Sequence, residues 1–240
     1  MPIVAVSICR GSLRTRRKLI TALSIVAGAG AVVLSCYALF IKAQAESLLK
    51  DLTALTVGNS TESDVEQLTR EHSRYLVSRE SSDGIATTTF TVKNRWLSAL
   101  RLEPPALFGA AVSVKSGHVY HISAWLMRSM DIYPTFGASA GMVDEYAEYP
   151  QYLSHSQHYE FPTPVGKPYV RVRLDSYASP IQRRHAFNFS FSCLIKPGGG
   201  CNLPCDYLPL AWQDWRADLR EGGFSNMFNQ YYPKSSRCKE

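Results

Sequence analysis

Near the C-terminus the stretch CLIKPGGGCNLPC sets Cys193, Cys201 and Cys205 close together, and Cys238 follows. Thiolates at such spacing hold zinc when two close pairs converge. Cys201 and Cys205 make one loose pair, and no second close pair answers it. Four cysteines on the far side of a membrane predict two disulfides instead. Three connectivities are open to them. Pro197 and Gly198 to Gly200 can turn the chain back, which favours Cys193 with Cys201 and leaves Cys205 for Cys238. The same glycines could aim N–H groups at an anion, but no Lys-Ser/Thr ending and no capped helix follows, so the run reads as a permissive turn.

Two other sets have the spacing of active groups. Gly137-Ala138-Ser139-Ala140-Gly141 matches the G-x-S-x-G elbow that exposes a nucleophilic serine, and Asp175 and His185 follow in Ser, Asp, His order. The elbow needs a strand that feeds a helix. Pro134 disrupts that strand and no alternating β/α pattern precedes it, so a small-residue loop is the first reading and an exported serine hydrolase using Ser139 the alternative. His118 and His121 are three apart in an expected strand, where they point to opposite faces. His155 and His158 lie in a tyrosine-rich loop and could reach an ion, but the sequence names no third ligand. No metal or cofactor is expected on these grounds.

Those readings depend on a compartment. Residues 19–41, LITALSIVAGAGAVVLSCYALFI, run 23 positions without a charge, which at about 1.5 Å per residue spans a bilayer core. Arg10, Arg14, Arg16, Arg17 and Lys18 precede the run and only Lys42 follows closely, so residues 1–18 stay in the cytosol and residues 43–240 are exported. Ala43-Gln44-Ala45 has the form of a cleavage site, and VVLSC up to Cys36 has the form of a lipobox. The length of the run and the apolar YALFI after Cys36 favour an uncleaved span over both. Six of the 26 Lys and Arg precede Ala43 and none of the 20 Asp and Glu does, so the formal charge of +6 belongs wholly to the anchor segment. That excess speaks for topology and for anionic lipid. It gives no reason to expect nucleic acid as a partner.

The exported part opens with Leu48, Leu49, Leu52 and Leu55 at helical spacing, an amphipathic continuation of the span. After TVGNST, Ser60 or Thr61 can cap a second helix, ESDVEQLTREHSRYL, with Val65, Leu68 and Tyr75 or Leu76 as its buried stripe. IATTTFTVK reads as a strand, GAAVSVKSGHVYHISAW as a hairpin turning at Lys115-Ser116-Gly117, and KPYVRVRLDS as another strand. RHAFNFSFSCLI alternates with period two and predicts a half-buried strand with Phe187, Phe189, Phe191 and Cys193 on one face, Asn188 of a formal glycosylation sequon on the other. LPLAWQDWRADLREGG predicts a last helix from Pro209 to Gly222. Tyr133, Tyr146, Tyr149, Tyr152 and Tyr159 suit either an interface or packing beneath a long loop.

The order helix, L-x-V-G-N-S-T-x-x-D-V-x-x-L, then strands resembles the SmpA/OmlA-type envelope lipoproteins of the outer-membrane barrel-assembly machinery over residues 46–92, carried by Gly58, Ser60, Asp64, Val65 and Leu68. It is also similar to bacterial membrane-anchored proteins that continue into a cysteine-bearing β segment. The resemblance implies a bacterial envelope location and an envelope protein partner. The expectation is an α+β fold: a transmembrane helix, two short helices, then an antiparallel sheet with a C-terminal helix. The helical part occupies residues 43–80 and the β-rich part 85–240. The expected role is a binding or structural module held at the membrane.

Overall fold

Nothing between Leu19 and Ala54 breaks a helix, and α1 runs unbroken over Cys9–Ala54, 46 residues. The computed structural model describes residues 9–95, 106–128, 139–147, 157–160, 169–195 and 203–221. The chain divides into two compact units, Met1–Phe40 and Ile41–Glu240. In the first, Leu23, Val26 and Val33 stand exposed along α1. The helix over Ile20–Ala54 is long and apolar enough to cross a membrane, with a mean hydropathy of 2.1 in its most apolar window.

In the second unit residues 41–54 of α1 become amphipathic. Ala45, Leu48, Leu52 and Leu55 are buried at three- and four-residue spacing, while Leu49 is half-buried. Helix α2, Glu62–Glu71, starts at Thr61, whose N–H and hydroxyl both donate to Asp64 Oδ2 (2.7 and 3.0 Å). Those bonds hold the Asp64 carboxyl below its usual range. Ser60 serves the connector instead, accepting the Thr56 N–H at 2.9 Å. Val65 and Leu68 are buried as expected, but the helix stops at Glu71. Leu76 is exposed and begins a strand.

Among the described residues seven strands form one sheet in the order β1-β2-β3-β4-β5-β7-β6: β1 Leu76–Ser82, β2 Ile85–Lys93, β3 Ala106–Lys115, β4 His118–Arg128, β5 Ser139–Tyr146, β6 Gln157–Glu160 and β7 Tyr169–Asp175. The sheet is antiparallel except for β5 with β7. Two-residue turns with positive φ, Asp83-Gly84 and Ser116-Gly117, close the first and third hairpins. Among the described residues β1 is an edge strand paired only with β2, and its register skips a residue at Val77.

Period-two alternation gives the sheet two unlike faces. On one, the cross-strand rows Phe90–Ala110–Ala124–Val143–Val172 and Val92–Phe108–Leu126–Gly141–Val170 are buried. On the other the rows are polar, Thr87–Ser113–His121–Tyr146 and Thr89–Ala111–Ser123–Asp144–Arg173, and Trp125 lies so close over β3 that a side chain at Gly109 would overlap its ring.

Helices α3 (Pro180–Ala186), α4 (Pro204–Tyr207) and α5 (Pro209–Glu221) complete the described fold. A side chain at Gly141 would reach Tyr207 Cβ at 2.6 Å, so α4 covers the apolar face. The expected strand over residues 184–195 is not one. Ser179 Oγ accepts the Gln182 N–H (3.2 Å) and Gln182 Oε1 accepts the Ser179 N–H (2.9 Å), and with Pro180 in the first turn this box nucleates α3 through Ala186. Beyond it Phe187, Phe189 and Phe191 are buried and Asn188 exposed, so the alternation does set which side chains face inward. The Ser190 N–H, however, donates to the Tyr207 carbonyl (2.9 Å) instead of to a strand, and the chain curls into a 3-10 turn over Phe191–Leu194.

Candidate binding site

Where α1 ends, α3 and the phenylalanine segment line an open cavity of about 720 Å³. Leu49, Val57, Phe187, Phe189 and Phe191 supply its apolar lining, and Phe189 and Phe191 also pack edge-on against Phe108 at 5.6 and 5.0 Å. Exposed Glu46, Lys50 and Arg184, half-buried Arg183 and buried Glu145 also line it.

Arg183 organises this wall. Its Nε donates to both oxygens of Glu145 (2.9 Å each), while its terminal nitrogens donate to the Thr53 and Leu55 carbonyls at 2.5 and 2.7 Å. Those carbonyls lie at the C-terminus of α1, where a cation complements the helix dipole. Glu145 interrupts an otherwise apolar row, Val112–Ile122–Glu145–Leu174, and burial pushes its carboxyl above the usual range despite Arg183.

On the polar face Asp144 sits under a different set of donors. His121 Nε2 donates at 3.1 Å and Arg171 Nε at 2.6 Å. Burial raises the Asp144 carboxyl, but the His121 bond, the Arg171 charge and a Ser123 hydroxyl overcome it, and the net shift is downward. His121 stacks on Tyr146 at 4.3 Å. The Tyr146 hydroxyl is pushed up by burial and by the Asp144 charge, against Arg171 and Arg173.

The residues of the alternative hydrolase set lie apart. Ser139 begins β5 and enters a strand, not a helix, while Asp175 ends β7. Because β5 and β7 run parallel with Tyr146 opposite Asp175, the two positions are separated by the length of the strand, roughly 20 Å. His185 Nδ1 bonds Asp214 at 2.9 Å and joins α3 to α5. His158 lies in β6 opposite Arg173, and His155 lies outside the described residues. Cys193 falls in the 3-10 turn and half-buried Cys205 in α4; Cys201 and Cys238 lie outside the described residues, as do Tyr133, Tyr149 and Tyr152.

Sequence reasoning missed Asp144, Glu145 and Arg183. Their signal is the pair Asp144-Glu145 in GMVDEY, two carboxylates inside a run otherwise fit for a buried strand, which demand buried partners. No family model, no curated protein and no solved structure matches this chain.

Proposed function

We propose that the chain is a single-pass membrane-anchored protein of the cell envelope whose domain after Lys42 is a binding module exposed outside the cytoplasm. The observation that carries this reading is α1: one helix long and apolar enough to span, with its basic residues gathered before the apolar run. Four cysteines after Lys42, an even number, fit an oxidising compartment. The pairing of Cys193 with Cys201 and of Cys205 with Cys238 belongs to the same proposal, as does the envelope partner. The ligand element is the 720 Å³ cavity, within the size range of small-molecule sites. Its phenylalanine lining, with three cations against two carboxylates among the described lining residues, suits a molecule with an apolar body and one anionic group.

A reporter active only outside the cytosol, fused after Glu240, should work, and a cytosol-only reporter should not; the reverse pattern overturns the topology. A photoreactive long-chain carboxylic acid added to membranes should label the peptide holding Phe187 to Phe191. Labelling that survives replacement of Lys50 and Arg184 by glutamate would remove the anionic group from the ligand class.

A further inference from the structure

Asp51, in the last turn of α1, meets Glu71 and His72 at the end of α2, with one ligand atom of each within 4.8 Å of the others. We infer that these three side chains form a site for one divalent cation of the zinc class.

The donor set is one imidazole nitrogen and two carboxylates, which suits zinc better than the all-oxygen cations calcium and magnesium. His72 is buried, and its Nε2 lies 2.8 Å from Asp51 Oδ2. A carboxylate there only accepts, so Nε2 carries the proton. A cation bound at Nε2 takes the place of that proton, which moves to Nδ1 or to solvent. Glu71 is exposed, and Gln67 Nε2 donates to its Oε1 at 3.0 Å, which fixes the carboxylate beside the imidazole.

Two features of the surroundings favour a cation. His72 is the C-cap of α2, with its N–H on the Leu68 carbonyl at 3.0 Å, so the negative end of the helix dipole points at the cluster. Asp51 and Glu71 also line a cavity of about 300 Å³ with Asp64, Ser60 and Gln67, and among the described residues no lysine or arginine lines it. Three carboxylates thus share one recess. The recess supplies an entry route and room for water as a fourth ligand, the arrangement of an open zinc site.

The test uses the full-length protein in detergent, stripped with a chelator and titrated calorimetrically with Zn²⁺. One Zn²⁺ per chain is expected, with a rise in the thermal midpoint. Glu71→Gln should weaken binding by about tenfold or more while the metal-free midpoint stays put, because Glu71 is exposed. Asp51→Asn keeps an acceptor for His72 and should weaken binding likewise, so the outcome does not depend on a His72 variant that fails to fold. Co²⁺ in place of Zn²⁺ should give visible bands without thiolate charge transfer. Uptake equal in the wild type and in a variant combining Asp51→Asn with Glu71→Gln overturns the site, as does a thiolate band, which would send the metal to cysteine.

Discussion

Asp144 and Glu145 follow one another on β5 and are almost equally hidden from water, at 2% and 3% exposure, yet the sheet treats their charges in opposite ways. Asp144 points to the polar face, where an imidazole, a guanidinium and a hydroxyl all donate to it, and its carboxyl is held below the ordinary value. Glu145 points into the apolar face with one guanidinium for company, and its carboxyl is pushed above the ordinary value. Burial alone therefore does not fix the protonation preference of a side chain. The number of donors that burial leaves within reach does.

The largest effect should come from Arg183→Met. It strands Glu145 in the apolar row and leaves the Thr53 and Leu55 carbonyls unanswered, at a cost of about 3–5 kcal/mol in chemical denaturation. Adding Glu145→Leu should recover much of that loss, and a double variant no better than the single would mean that the helix carbonyls, not the stranded carboxylate, dominate. Asp144→Ala should cost less, about 1–3 kcal/mol, because Arg171 and His121 are partly exposed and can turn to water. A larger loss than for Arg183→Met would reverse the contrast between the faces.

The smallest effect is in pH dependence, and its sign separates the two residues. The Asp144 contribution is present above the ordinary value of 3.8 and is lost as pH falls below it, since its folded value is lower. For Glu145 the folded value is higher, so stability is greatest at or below the ordinary 4.5 and declines as pH rises through the folded value. Asp144→Asn should thus flatten the acid-side loss, and Glu145→Gln the decline above 4.5. Identical profiles for the two variants would erase the comparison.

Elements with strong local signals are legible in the chain. IATTTFTVK is β2, from Ile85 to Lys93, and Ser116-Gly117 closes the hairpin expected at Lys115 to Gly117. Strand β1 escapes a reading by pattern, although Asp83-Gly84 marks a two-residue hairpin turn that requires a strand before it; its mostly exposed residues carry no hydrophobic period. The segment after Ser179 misleads because alternation reports which side chains face inward, whereas the hydrogen-bond partner that makes a strand lies elsewhere in sequence. The cavity wall is illegible for the same reason: Arg183 is 38 residues from Glu145 and 130 from Thr53.

The skipped residue at Val77 has a colloidal consequence. An edge strand whose register with its neighbour is regular offers a straight row of free N–H and carbonyl groups to any passing strand. A chain anchored as proposed meets its copies in the plane of one membrane, where encounters are frequent and repeated. The bulge twists the row out of line, and exposed Arg79 and Glu80 stand beside it, so a second copy finds neither a straight template nor an uncharged one. Crowding can then bring the domains together without zipping their sheets into a common aggregate.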